Sequence, residues 1–199
     1  MTKSEQLARV PPLYRLAHAW KDRRHERAHE LTRAKHALLR ETACSHGLSV
    51  LVETGTYTGE TAWAFRHEFD RIETIELEPS LARLARIRFA RTPSVHVHEG
   101  DSASVLPELL ESLDRPALFW LDAHPCTDRS ATDAPVPLVA ELAAVAAHPV
   151  DGHVVLIDDL RLMGREGFPA VEQLSPAGYR LEQIGDVGRL TREAQTSRA

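Results

Sequence analysis

The chain has 199 residues, 43% hydrophobic and 27% charged, with a net charge of −5, which suits one domain with a sizeable core. No apolar run approaches the roughly 18 residues a bilayer span requires, and the start, Met1-Thr-Lys-Ser-Glu-Gln, lacks a signal-peptide core. The two cysteines, Cys44 and Cys126, form neither a CxxC pair nor a disulfide framework, so reduced thiols and a cytoplasmic location are expected.

Residues 1–46 hold ten Lys or Arg against five Asp or Glu, a basic lobe of +5 on a remainder of −10. Residues 20–35 contain no Gly or Pro and mix charges at three- and four-residue spacings, the pattern of a solvated helix. A nucleic-acid or acidic-substrate surface is the sharper alternative, but no aromatic-interleaved basic stripe supports it. Pro11-Pro-Leu-Tyr14, with Leu16 and Trp20, reads as an apolar anchor for a helix over a site mouth. Residues 1–46 are therefore taken as an N-terminal helical extension and 47–199 as the body. A first strand is expected at 48–52, ending in the turn Glu53-Thr-Gly-Thr-Tyr-Thr-Gly59, followed by a helix over 61–69. Next come a strand at 72–77, a helix at 80–90 with Leu81, Leu84 and Ile87 toward the sheet, and a strand at 95–98. Gly100-Asp-Ser102 opens another helix, with Ser102 as N-cap and Val105, Leu106, Leu109, Leu110 and Leu113 among its residues. Buried strands at 117–121 and 154–157 flank a helix at 138–147. Segments 179–184 and 187–191 bracket Gly185-Asp186 as a hairpin, and 193–199 reads as a frayed tail. Strands alternating with helices imply a doubly wound, mostly parallel, Rossmann-like α/β sheet.

The turn at residues 51–59 and the segment Thr74-Ile-Glu-Leu-Glu-Pro79 stand at the spacing of a nucleotide-type βαβ fingerprint. Glu76, at the second strand's end, can accept hydrogen bonds from both ribose hydroxyls, which points to an adenosine-containing cofactor. The turn is not G-x-G-x-x-G, and Glu53 would repel a pyrophosphate but could hold the ammonium of an amino-acid-bearing cofactor. That favours S-adenosylmethionine over NAD. Gly55, Thr56, Tyr57, Thr58, Gly59 and Thr61 complete the expected cofactor cradle, with Asp101 and Ser102 after the third strand. Helix capping by the last pair is an alternative compatible with that role.

These segments, with Glu99-Gly-Asp-Ser102 and Phe119-Trp-Leu-Asp-Ala-His124, together resemble the class I S-adenosylmethionine-dependent methyltransferases from about residue 48 to the end. Tyr57 stands where many of those enzymes carry a second glycine; a bulky residue there occurs in the branch resembling macrocin and related sugar O-methyltransferases. The resemblance makes the 179–191 hairpin the antiparallel edge of the sheet and the N-terminal helices a lid or a homodimer contact. It places Asp101 and Ser102 near the adenine ring and Asp122 at the cofactor.

Asp122 follows one apolar strand, and Asp158 and Asp159 follow the next. Three carboxylates at adjacent strand ends repel one another unless a cation or substrate hydrogen bonds offset them; turn formation is the plainer account. Hard oxygen ligands suit Mg²⁺, and the pattern L-D-A-H with I-D-D resembles the metal-dependent O-methyltransferases. In that reading Asp122, Asp158 and Asp159 hold the ion and His124 is the base, with Asp122 and His124 as the catalytic pair; a loop histidine without a role is the alternative. Pro125 stands where catechol-type enzymes place a lysine. The polar loop 125–137 is expected to shape an acceptor pocket; its Asp128, Arg129 and Asp133 read first as solvated loop residues, with substrate contact as the sharper alternative, and Arg161 either binds an acidic substrate or pairs with an aspartate. The expected activity is methyl transfer to a small-molecule oxygen with divalent metal assistance. A cyclase or lyase acting on the cofactor itself, and an RNA-binding methyltransferase using the basic lobe, are the alternatives.

Overall fold

A computed structural model describes residues 30–122, 137–165 and 168–192. The chain divides into two compact units, residues 1–40 and 41–199, and the second holds the sheet. Residues 30–46 are helical and form α1. The segments around Pro11, Tyr14, Leu16 and Trp20, the loop at 123–136 and the tail at 193–199 lie outside the described residues.

In chain order come β1 (Val50–Thr54), α2 (Glu60–Phe65), β2 (Arg71–Glu76), α3 (Pro79–Phe89), β3 (Val95–Glu99), α4 (Ser102–Leu110) and β4 (Leu118–Leu121). Then follow α5 (Leu138–Ala147), β5 (Val154–Ile157), two short 3₁₀ turns (Leu160–Leu162 and Val171–Leu174), β6 (Tyr179–Ile184) and β7 (Val187–Arg192). The seven strands lie in the order β3-β2-β1-β4-β5-β7-β6. The first five are parallel, whereas β7 runs antiparallel to β5 and pairs with β6 as the hairpin expected at the edge. This is the Rossmann-like doubly wound sheet the alternation implied.

Every residue of β1, β4 and β5 is buried, which is why β4, β5 and β1 up to Glu53 read as unbroken apolar runs and not as alternating strands. Leu106, Leu109 and Leu110 of α4 and Leu138, Leu142 and Val145 of α5 join Val52, Phe119, Leu121 and Ile157 in one apolar core. Two sequence expectations shift. In α3 the sheet-facing residues are Ala82, Ala85 and Phe89, while Leu84 and Ile87 are 61% and 65% exposed. Small alanines let the helix lie close to the strands, so the apolar pattern alone selected the wrong stripe. At α4 the N-cap is Asp101, one residue before Ser102, its carboxylate accepting from the Ala103 N–H at 3.0 Å.

Candidate functional site

Strand order reverses between β1 and β4, so the connections that leave their paired carboxyl ends part to opposite sides of the sheet, the usual ligand position in open α/β sheets. The turn from Gly55 to Gly59 borders it. Gly55 has φ +90°, and a Cβ there would stand 3.6 Å from Asp122 Cβ. Gly59 has φ +75°, and a Cβ would meet the Phe89 ring at 2.9 Å, so this position demands glycine both for its backbone and for its packing. Tyr57 is also left-handed, at φ +48°. That accounts for a glycine-compatible position carrying a bulky residue: the Tyr57 N–H donates to Glu76 Oε2 at 2.7 Å, which holds the strained backbone in place. The Tyr57 side chain is 54% exposed.

Glu76 is buried, and its other oxygen accepts from the Glu78 N–H at 2.9 Å. Two backbone donors therefore fix the carboxylate and leave its remaining lone pairs for a ligand. The strand carries the turn with it, since the N–H groups of Gly55 and Thr56 both donate to the Ile75 carbonyl, at 2.9 and 3.1 Å. Glu53 is buried at the end of β1, where Thr74 Oγ1 donates to its Oε2 at 2.8 Å. Thr56 Oγ1 lies 2.6 Å from Thr74 Oγ1 and extends the chain of hydroxyls. Thr61 also lies beside the Glu53 carboxyl. Burial pushes Glu53 up to about 8, against the opposing pull of the Thr74 and Thr61 hydroxyls. The residue expected as a standing negative charge is therefore neutral at pH 7 until a cation adjoins it.

Asp122, Asp158 and Asp159 converge from the ends of β4 and β5, each offering a carboxylate oxygen within 4.8 Å of the others. Asp158 is tied to β4 by its N–H on the Leu121 carbonyl at 2.9 Å, and its Oδ1 accepts from the Asp159 N–H at 2.7 Å. Asp159 has a left-handed backbone, φ +55°, which turns the chain sharply out of β5. Arg161 pairs with Asp159 Oδ1 and with Asp186 Oδ2 of the hairpin turn, while the Arg161 N–H donates to Asp186 Oδ1 at 2.9 Å. Of the two roles open to Arg161 in the sequence, the structure shows aspartate pairing. Three hard oxygens at this separation fit a divalent ion, and one of the three already has a guanidinium partner.

His124 lies outside the described residues, as do Asp128, Arg129 and Asp133. One buried acid near these strand ends escaped the sequence reading. Glu141, in the first turn of α5, is buried among Leu138, Leu142 and Val145. Burial raises it to about 7, with the Ser102 and Thr54 hydroxyls opposing the rise and Asp101 and Asp122 adding to it. A lone acid inside an apolar helical stripe was the available signal.

No family model matches the sequence, and no curated protein does either. Solved structures do match. An O-methyltransferase from Bacillus cereus in complex with SAH aligns with TM-score 0.59 and 16% identity over 79% of this chain and 79% of that one. The SAH-bound Podospora anserina methyltransferase PaMTH1 aligns at 0.58 and 14%, over 80% and 78%. TomG from Streptomyces achromogenes, an O-methyltransferase of tomaymycin synthesis in complex with SAM, aligns at 0.56 and 20%, over 81% and 80%. At these identities the likeness speaks to architecture, and the chain has the Rossmann-like fold of the class I S-adenosylmethionine-dependent methyltransferases.

Proposed function

We propose that this protein is an S-adenosylmethionine-dependent methyltransferase that methylates a hydroxyl of a small-molecule acceptor. The observation that carries the reading is Glu76, buried and aimed by two backbone N–H groups, beside the glycine turn at the sheet's switch point. In this reading Glu76 accepts from the ribose hydroxyls, and Asp101 and Ser102 border the adenine. Glu53, through its link to Thr74, receives the ammonium and ionises as it does so. Gly55, Thr56, Thr58, Gly59 and Thr61 leave the backbone bare enough for the ligand to lie against it, and Tyr57 covers it from the solvent side. The cofactor supplies a methyl group on a sulfonium, open to in-line attack by an acceptor oxygen.

Asp122, Asp158 and Asp159 are the residues that would hold Mg²⁺. Such an ion, when bound, lowers the pKa of a coordinated hydroxyl. His124, four positions past Trp120 and just beyond Asp122, is our candidate for the base that takes the acceptor's proton. Arg161, which neutralises Asp159 in the structure, would share that aspartate with the ion.

The test is calorimetric titration with S-adenosylhomocysteine, together with mass spectrometry of S-adenosylmethionine incubated with the protein and Mg²⁺ without acceptor. Binding with an intact cofactor supports methyl transfer. Conversion to methylthioadenosine and a cyclised or cleaved amino acid replaces it with the cyclase or lyase reading, and absence of binding removes both.

A further inference from the structure

Helix α5 packs on the sheet through Leu138, Leu142 and Val145, and Glu141 interrupts that stripe with a carboxyl only 3% exposed. The groups around it come from three strand ends: Thr54 from β1, Asp101 and Ser102 from the turn after β3, and Asp122 after β4. None of these is a cation, so among the described residues this buried acid gains no ion pair, and an apolar residue of similar volume would serve the packing at least as well. The buried Thr54 hydroxyl and that of Ser102 both face this carboxyl. Polar groups kept in an apolar layer against the interest of stability mark a functional position.

Building on the S-adenosylmethionine reading above, we propose that Glu141 is a positioning residue for cofactor binding. It sets the α4 N-terminal turn that carries Asp101 and Ser102 against the β4 end that carries Asp122, so that both arms of the crevice meet one ligand. Its contribution is to the geometry of the bound state, and the free fold does without it.

Glu141→Leu and Glu141→Gln test this by S-adenosylhomocysteine calorimetry and by thermal unfolding without ligand. Glu141→Leu is expected to unfold at or above the wild-type temperature yet bind at least about tenfold more weakly, the range seen when a group that orients ligand contacts is lost. Glu141→Gln, which keeps hydrogen-bonding capacity in a neutral side chain, is expected to stay within about threefold of wild type. Wild-type affinity in Glu141→Leu overturns the proposal, as does a Glu141→Gln no better than Glu141→Leu. So does a Glu141→Leu that loses stability along with affinity or fails to fold, since the carboxyl would then belong to the structure. A wild-type protein that does not bind S-adenosylhomocysteine overturns the cofactor reading instead.

Discussion

Glu76 and Glu53 are buried carboxyls 23 positions apart in the sequence, and their surroundings give them opposite characters. Glu76 has two backbone N–H donors, so its oxygens are held in place where a ribose would lie. Glu76→Ala is expected to weaken S-adenosylhomocysteine binding about ten- to a hundredfold, which calorimetry reads directly. Glu53 has a hydroxyl chain and burial, and its folded pKa of about 8 exceeds the ordinary 4.5. The unfolded chain releases this proton first, so between those values the native state loses stability as pH rises. Glu53→Gln removes that loss and is expected to raise the unfolding temperature near pH 8 but not near pH 4.5. An ammonium placed beside Glu53 favours its ionised form, so ligand binding releases a proton and affinity climbs toward pH 8. Calorimetry in buffers of different ionisation enthalpy detects the release, and Glu53→Gln should abolish it.

At the scale of elements, the opposite end of the sheet is organised by a histidine pair. The Ala117 N–H donates to His153 Nδ1 at 3.0 Å, which leaves the proton of that ring on Nε2, 2.8 Å from His148 Nδ1. His148 must then donate from Nε2 to the Leu110 carbonyl at 3.0 Å. One direction of donation thus joins the start of β4, the approach to β5 and the ends of α4 and α5, and it holds only while both rings are neutral. Burial and the neighbouring His148 lower His153 from 6.5 to about 4. Its stabilising contribution is complete above about pH 6.5 and is lost as pH falls through 4, at most about 3 kcal/mol. His153→Leu strands the Ala117 N–H and is expected to cost about 2–4 kcal/mol at neutral pH. Urea unfolding near pH 7.5 and near pH 4.5 should show that cost shrinking in acid.

Across the whole molecule, the parallel sheet delivers Glu53, Glu76, Asp101, Asp122, Asp158 and Asp159 to one edge from five different strands. The result is an acid-lined crevice suited to cationic ligands. Among the described residues no helix is long and apolar enough to cross a membrane. Asp158→Asn and Asp159→Asn are each expected to weaken Mn²⁺ binding, read by electron paramagnetic resonance, by about tenfold or more. Arg161→Ala removes the competing guanidinium from Asp159 and should strengthen it by about threefold to tenfold. Equal Mn²⁺ affinity in all four proteins would rule out the carboxylate trio as a metal site.

The sheet was legible in the sequence because buried parallel strands are rich in apolar residues, and β4, β5 and the first three residues of β1 are apolar without exception. The turn was legible because Gly55 and Gly59 occupy backbone conformations that exclude most side chains. What a strand end then does with its carboxylate depends on atoms distant in the chain, and only the tertiary structure supplied those. It made Glu53 neutral by burial and gave Glu76 its donors. It paired Arg161 with Asp159 and Asp186 across 25 residues. It turned α3 onto its alanines, because the distance between helix and sheet, which no helical period encodes, decides whether small or large residues face inward. It also brought Glu141 from α5 to the ends of three other strands. Periodicity reports which face of an element is buried; the charge state and partners of a buried group are set by the neighbours that the fold assembles around it.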